Sequence, residues 1–339
     1  EAIVAVAWNQ LGTVTALIMA FGMIVNILLA RFTKFNYIFL TGHHALYMAC
    51  MFAAILHASG ITGAVAVVVG SILLGLTMVL MPAMAQPFMK KITGNDQVAF
   101  GHFGTFGYVL SGLVGKVVGK GSKSTEEIKF PQSLTFLRDT SVAISLTMLV
   151  LYLIVAVAAG PEFVTGISGG TNWIVFSLIQ AITFAGGVYV ILAGVRLILG
   201  EILPAFRGIA MKLVPNAKPA LDCPVVFPYA PNAVLIGFLC SFLGGVVGLF
   251  ILIAMGQPAI LPGVVAHFFC GATAGVFGNA TGGRRGAIIG SFANGLLITF
   301  LPALLIPVLS GLGFVGSTFS DADFGVIGII LGKILSLFS

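Results

Sequence analysis

Charged residues are scarce in this chain, because Asp, Glu, Lys and Arg make up only 8% of its 339 residues. Soluble domains carry about a quarter charged residues to face water. Apolar residues reach 59% here, so lipid must cover the surface instead. The composition predicts an all-α integral membrane protein with many spans, and the 44 glycines suit helices packed closely within a bilayer.

The motifs of soluble enzymes are also missing. The sequence has no P-loop, no GxSxG and no HExxH, so it carries no sign of nucleotide hydrolysis or of a catalytic triad. The net charge of +6 comes from basic residues between apolar runs, as expected of cytoplasmic loops, so nucleic acid is not an expected partner. No CxxC pair or zinc-like spacing occurs, so neither a metal nor a cofactor is predicted for the four cysteines, Cys50, Cys223, Cys240 and Cys270.

Apolar runs of about 20 residues recur along the chain, and each is long enough to cross a bilayer. The basic loops between them should share the cytoplasmic side, and the acidic loop with Asp321 and Asp323 should face outward. The segment from Lys91 to Lys116 begins and ends in basic loops. It is therefore predicted to enter and leave on one side, as a re-entrant hairpin with His102 at its tip.

A second hairpin is predicted near residues 257–280. Residues 40–45 and 261–266 both begin with Leu, carry Gly at the third position and end in Ala. Paired Gly or Pro interruptions in two halves of a chain are the sequence trace of inverted repeats in secondary transporters. The fold class expected is thus a polytopic helical transporter with re-entrant hairpins and inverted repeats.

Asp222 is an ionisable residue in an apolar segment, which makes it a functional candidate. A regular helix is excluded around it by four prolines, Pro219, Pro224, Pro228 and Pro231. A carboxylate in such a broken segment suits hydrogen bonds to the hydroxyls of a polyol or sugar-like solute. The alternative is that Asp222 caps a half-helix, although Ser or Asn would serve equally well there.

His43 and His102 each follow a glycine where the helical pattern breaks. An imidazole donates and accepts hydrogen bonds, so it suits a hydroxyl-rich ligand or a proton shuttle. The alternative is that each histidine simply packs between helices. His44, His57 and His267 rank below them as candidates.

Six motifs in order resemble one family along essentially the whole chain. They are Leu-Thr-Gly-His (40–43), Phe-Gly-His (100–102), Gly-Val-Arg-Leu-Ile-Leu-Gly-Glu-Ile-Leu-Pro-Ala-Phe-Arg-Gly-Ile (194–209), Leu-Asp-Cys-Pro (221–224), Tyr-Ala-Pro-Asn-Ala-Val (229–234) and Gly-Val-Phe-Gly-Asn (275–279). Together they resemble the membrane-embedded EIIC component of the ascorbate-type phosphotransferase system, in the ascorbate/galactitol EIIC family. Similar full-length proteins carry further membrane sequence before the part that matches Glu1, so the chain is expected to lack the opening of its first repeat.

The resemblance implies a homodimer in the bacterial inner membrane, surrounded by lipid. Each protomer would have a first-repeat part of the transport core at 1–129, with a hairpin near 92–115. Scaffold helices arranged in a V, with an amphipathic helix, would occupy 130–215, and the second repeat 216–339. Cytosolic EIIB, itself supplied by EIIA, would phosphorylate the bound solute through a phosphocysteine.

The resemblance also implies which residues contact the solute. Asp222 and His102 would hold its hydroxyls, with His43 in support. Ascorbate carriers similar to this chain have glutamine at the positions of Tyr47 and Phe103. The loss of two amides that can hydrogen-bond a polar ring weakens the expectation for ascorbate itself. The full set is His43, Tyr47, His102, Phe103 and Asp222, with Pro262 and Gly263 at the second hairpin tip.

The leading hypothesis is therefore an EIIC permease that imports ascorbate or a related sugar or polyol, coupled to its phosphorylation by EIIB. The alternative is an ion-coupled secondary transporter, which would release unmodified solute and need no EIIB. A membrane scaffold or receptor without transport would leave Asp222 and the broken helices unexplained.

Overall fold

The computed structural model describes residues 2–128, 140–311 and 313–337. Helices make up most of the chain, which confirms the prediction of a polytopic all-α membrane protein. Within the described ranges, six helical stretches are long and apolar enough to cross a membrane. The helices are α1 (Ala2–Phe32), α2 (Gly42–Ala58), α3 (Gly63–Thr93), α4 (Thr105–Val118), α5 (Thr140–Ala159), α6 (Pro161–Ile167), α7 (Trp173–Leu213), α8 (Pro231–Ala254), α9 (Val264–Ala266), α10 (Ala272–Gly311) and α11 (Ala322–Leu335).

The chain forms two compact units. The first comprises Glu1–Glu126 with Leu203–Ser339, and the second comprises Glu127–Ile202. The predicted domain boundary between residues 129 and 130 lies outside the described residues, and the scaffold role of 130–215 stays a prediction. The backbone of α7 continues without a break to Leu213, and the amphipathic helix expected within 130–215 stays a prediction.

Helix α2 lies in the core of the first unit. Every side chain from Met48 to Leu56 is completely buried. A helix that is apolar all round is stable only where other elements surround it. The packing of α2 therefore fixes the position of its N-terminal residues, Gly42, His43 and His44.

A three-stranded parallel sheet lies between the helices of the first unit. It was not predicted from the sequence. Its strands are β1 (Tyr37–Phe39), β2 (Ala99–Phe100) and β3 (Lys218–Leu221), in the order β1-β3-β2. Tyr37 pairs with Lys218, and Ala99 pairs with Ala220. Strands of two to four residues are too short to show an alternating pattern, so no periodic signal marks them.

An exposed carboxylate, Asp96, ties the beginning of β3 to the end of α3. Its Oδ2 lies 2.8 Å from Lys218 Nζ and 2.9 Å from Lys90 Nζ, and its Oδ1 accepts from Gln86 Nε2 at 2.7 Å. Burial acts to raise the pKa of Asp96, but the hydrogen bonds from Lys218, Lys90 and Gln86 outweigh it and lower the pKa to about 2. The network anchors the sheet at the end remote from Asp222.

Helix α10 reverses direction in its middle. Gly283 has φ 55° and ψ −146°, a conformation open to glycine but costly for other residues. The backbones of Gly278 and Gly286 consequently lie against each other, although a straight helix would hold them about 12 Å apart. Ser291 Oγ reaches Gly271 O, twenty residues earlier, at 3.4 Å. The apolar stretch from Val264 to Ser310 is therefore a helical hairpin.

The predicted second hairpin, near 257–280, covers the connection after α8 and the first part of this helical run. The helical run begins after Gly263, passes through α9 and a π-helical turn (His267–Gly271), and continues into α10. Pro262 and Gly263 lie in the connection between α8 and this run, and the two helices pack against each other where Gly237 meets Gly271 and Gly275. The role of Pro262 and Gly263 at a hairpin tip stays a prediction.

The first predicted hairpin, near 92–115, is an extended segment followed by a single helix. Gly94, with φ 72°, ends α3, and β2 then leads through residues 101–104 into α4. Helix α4 packs against the α10 hairpin, where Ser111 Oγ donates to Ala274 O at 2.6 Å. The re-entrant placement of this segment in the bilayer stays a prediction.

Candidate functional site

The three strands bring the candidate residues together. Parallel strands end at the same edge of a sheet, so the residues that follow them converge. His43 lies four residues after β1, His102 two residues after β2, and Asp222 directly after β3. Gly101 is needed for this convergence, because a Cβ at that position would lie 2.5 Å from Ala220 O.

Asp222 lies between the two imidazoles. Its Oδ2 is 3.7 Å from His43 Nε2, and its Oδ1 is 3.9 Å from His102 Nε2. Both distances are too long for hydrogen bonds, so neither imidazole satisfies the carboxylate directly. The side chains of Asp222 and His43 are 35% and 54% exposed, so a ligand can approach from this side.

Asp222 also makes one local bond, since Cys223 N donates to its Oδ1 at 2.7 Å. It thereby caps the 3-10 turn Cys223–Val225. The helix-cap alternative and the functional hypothesis are thus compatible, because an ionised carboxylate has about four acceptor positions and this bond uses one.

Tyr108 fixes the orientation of His102 through the ring nitrogen that faces away from Asp222. The Tyr108 hydroxyl lies 2.8 Å from His102 Nδ1 and 3.6 Å from Cys223 Sγ, and Tyr108 is completely buried. This contact leaves His102 Nε2 directed at Asp222. The hydrogen bond made by one ring nitrogen determines whether the other nitrogen acts as a donor or as an acceptor.

A second imidazole–carboxylate pair, His44 and Asp321, lies beside the first. The ring centroids of His44 and His102 are 3.9 Å apart, and His44 Nε2 lies 3.9 Å from Asp321 Oδ2. Phe103 N donates to His44 Nδ1 at 3.4 Å, and Cys270 Sγ donates to Asp321 Oδ1 at 3.2 Å. Sequence reasoning ranked His44 low and placed Asp321 in an outward loop, so it missed this pair. The adjacent histidines in Thr-Gly-His-His were the available signal.

Asp323, which the sequence places in an acidic loop expected to face outward, is a buried structural residue. Its side chain is completely buried, and its two oxygens accept from Thr105 N at 3.0 Å and Phe106 N at 2.8 Å. Its own N–H donates to Phe103 O at 3.0 Å. Asp323 therefore caps α4 from outside that helix and holds the segment that carries His102. Charge counting could not find this role, because the partner N–H groups are more than 200 residues away in the sequence.

The other four predicted contacts divide between the edge of the cluster and the core. Tyr47 is partly exposed and its ring lies 6.2 Å from that of His43. Phe103 is completely buried and stacks on Phe39 at 4.7 Å, so its side chain has no surface to offer a solute. Pro262 lies beside Gly245 of α8, and Gly263 immediately precedes the helical run.

The cluster also has ligand atoms suited to a metal. Among the described residues, three overlapping groups of His, Asp and Cys side chains place one ligand atom each within 4.8 Å of the others. They are His43, His44 and Asp222; His44, His102 and Asp321; and His102, Asp222 and Cys223.

Comparison with known proteins identifies the family. Residues 1–323 match the family described as the PTS system sugar-specific permease component, EIIC-GAT. The chain belongs to this family. As a PTS permease component with six apolar helices of spanning length among its described residues, it is a multi-pass inner-membrane protein.

An ascorbate-specific PTS system EIIC component from Mycoplasma pneumoniae is similar to this permease. The two are 28% identical over 293 residues, which is 75% of the chain. The matched part covers 44% of that relative, so the chain spans less than half of the relative's length.

Proposed function

We propose that this permease imports a small hydroxylated solute, ascorbate or a related sugar or polyol, coupled to its phosphorylation by EIIB. The observation that carries the proposal is the Asp222 carboxylate, which lies between His43 and His102 at distances too long for direct bonds. A solute hydroxyl placed between these groups could donate to the carboxylate and accept from an imidazole. Membership of the PTS permease family supports this assignment.

The geometry suggests how each residue would act. Asp222 would accept hydrogen bonds from solute hydroxyls, and His102, held by Tyr108, would present Nε2 in a fixed direction. His43 would bind from the exposed side. Burial of the remaining surroundings strengthens such polar contacts, because little water competes with them.

Phosphoryl transfer would take place on a hydroxyl held at this cluster. An O–P bond to the solute forms while the S–P bond of the EIIB phosphocysteine breaks. The hydroxyl loses its proton, which Asp222 or His102 could accept, and the cysteine leaves as a thiolate. The permease would contribute position and orientation, while EIIB, rephosphorylated by EIIA, would supply the phosphoryl group.

Ascorbate is the first solute to test, because the similar Mycoplasma pneumoniae protein is ascorbate-specific. Tyr47 at the edge of the cluster can still hydrogen-bond a solute. Phe103 is buried, so the presence of Phe where similar ascorbate carriers have glutamine would affect packing and not direct contact with the solute. A homodimer remains part of the proposal.

The test is uptake by cells that lack other ascorbate carriers and express the complete chain with or without EIIB and EIIA. Labelled ascorbate and a panel of polyols would be supplied, and the phosphorylated fraction inside the cells measured. We expect accumulation of phosphorylated solute only when EIIB is present. Accumulation of unmodified solute without EIIB, driven by a proton or sodium gradient, would instead support the ion-coupled transporter.

A further inference from the structure

The three possible metal-ligand groups differ in whether their imidazoles can ligate. Two of them include His44, whose Nδ1 accepts a hydrogen bond from Phe103 N–H at 3.4 Å. A neutral imidazole that accepts at Nδ1 carries its proton on Nε2, the atom that faces Asp321. Nε2 then has no free lone pair, so His44 is poorly prepared to bind a metal.

The third group, His102, Asp222 and Cys223, has the opposite arrangement. The Tyr108 hydroxyl lies 2.8 Å from His102 Nδ1 and can accept a hydrogen bond from Nδ1–H, a tautomer in which Nε2 keeps its lone pair. The same hydroxyl lies 3.6 Å from Cys223 Sγ and can donate to a thiolate. Outer groups that orient the ligands in this way are typical of metal sites.

We infer that His102, Asp222 and Cys223 form a site for a thiophilic divalent cation of the zinc class. The donors are an imidazole nitrogen, a carboxylate oxygen and a sulfur, the types that zinc prefers, with a fourth position open toward the exposed Asp222 and His43. Tetrahedral zinc holds its ligand atoms roughly 3.3–3.8 Å apart, so ligands already within 4.8 Å need only small rotations.

Charge balance favours the same ion. Cys223 is completely buried and would lose its thiol proton to solvent as the metal–sulfur bond forms. One carboxylate and one thiolate then neutralise a divalent cation, which reduces the cost of placing charge in apolar surroundings. The three ligands come from two separate segments of the chain, so the spacing argument that predicted no metal did not apply to them.

A bound cation would occupy Asp222 and His102, and so would exclude the solute. This consequence rests on the proposed function: zinc should inhibit ascorbate uptake competitively. Binding of the cation itself does not rest on it, and can be measured with no solute or EIIB present.

The test uses Co²⁺ and Zn²⁺ with the purified complete chain in detergent. Cobalt bound to a thiolate gives a sulfur-to-metal charge-transfer absorption, which reports ligation by cysteine directly. We expect this band in the wild type, with about one ion bound per chain, and its displacement by Zn²⁺.

Variants assign the ligands. Cys223→Ser should remove the charge-transfer band, and His102→Gln and Asp222→Asn should weaken Co²⁺ binding at least tenfold. The matched controls are Cys270→Ser and His44→Gln, a thiol and an imidazole of the same cluster outside the proposed group, and both should keep the band.

Three results would overturn the inference: no band in the wild type, a band that survives Cys223→Ser, or a band lost equally in Cys270→Ser. The wild-type spectrum decides the first without any variant, so a Cys223 variant that fails to fold does not leave the inference untested. Failure of ascorbate uptake with normal Co²⁺ binding would count against the proposed function alone.

Discussion

Two segments of the first unit, the start of α11 and the loop after β3, each place a carboxylate near the His102 segment, but the two carboxylates have different surroundings. The first turn of α11 buries Asp323 completely, and two backbone N–H groups occupy its oxygens. The loop after β3 leaves Asp222 partly exposed, with one short bond to Cys223 N and two imidazoles beyond hydrogen-bond distance. Asp323 is satisfied by the protein, and Asp222 is not.

This difference separates a structural carboxylate from a candidate binding one. A buried carboxylate is tolerated when donors of the protein satisfy it, and it then stabilises the fold. A carboxylate with free acceptor positions at an open edge retains its capacity for a ligand. Position in the sequence does not distinguish the two, because both lie near prolines or glycines between apolar runs.

The largest expected effect comes from Asp323→Ala. The substitution leaves the N–H groups of Thr105 and Phe106 buried without an acceptor, at roughly 2 kcal/mol each, so we expect a loss of about 4 kcal/mol in unfolding free energy. Thermal unfolding in detergent measures it. Asp323→Asn keeps one acceptor oxygen and should lose about half as much. An alanine variant that melts with the wild type would contradict the structural role.

Asp222→Asn should reduce uptake and leave the stability of the protein nearly unchanged. The amide loses the negative charge and one acceptor, so uptake should fall about 100-fold, equivalent to ~2.7 kcal/mol. The melting temperature should stay close to that of the wild type, because the amide oxygen can still accept from Cys223 N. Asp96→Asn makes the same chemical change outside the cluster and serves as the uptake control. Full uptake by the Asp222 variant would remove the distinction between the two carboxylates.

A third carboxylate, Asp96, is exposed yet paired with Lys90 and Lys218. Since exposed ion pairs are weak, Asp96→Ala should cost only roughly 1 kcal/mol of stability. Its pKa is lowered to about 2, so its contribution is present at neutral pH and is lost as pH falls toward 2. The difference in melting temperature between variant and wild type should therefore be constant from pH 8 to pH 5. A difference that shrinks within this range would contradict the assigned pairing.

The smallest expected effect concerns the edge of the cluster. Tyr47→Phe removes only a hydroxyl, so we expect about threefold weaker apparent affinity for the solute, or ~0.7 kcal/mol, with unchanged stability. Phe103→Leu is the matched comparison, since Phe103 is buried in the aromatic core. It should lower the melting temperature and leave the apparent affinity unchanged. If Phe103→Leu alone altered affinity, the division between edge and core would be wrong.

The helical membrane fold could be predicted from the sequence, because long apolar runs with few charges have one stable arrangement in lipid. The three short strands could not, since two to four residues carry no period. The reversal at Gly283 could be predicted, because the basic residues Arg284 and Arg285 separate two apolar runs at this point.

The candidate site was predictable in its most unusual members. Asp222, His43 and His102 stand out as polar residues at helix breaks, and the structure places each imidazole within 4 Å of the Asp222 carboxylate. Asp321 and Asp323 were missed, because a sequence gives no distance between residues more than 200 positions apart. Phe103 was included through family resemblance, but tertiary packing buries it.

The order of the strands makes the cluster sensitive to the register of β3. Because β3 lies between β1 and β2, it alone sets the spacing between the chain segments of His43 and His102. A slip of one residue in β3 would move Asp222 about 3.3 Å and turn its side chain to the opposite face. The four residues Lys218–Leu221 thus set the position of Asp222 relative to both imidazoles. A single insertion in this strand would change the distances from Asp222 to His43 and to His102 together.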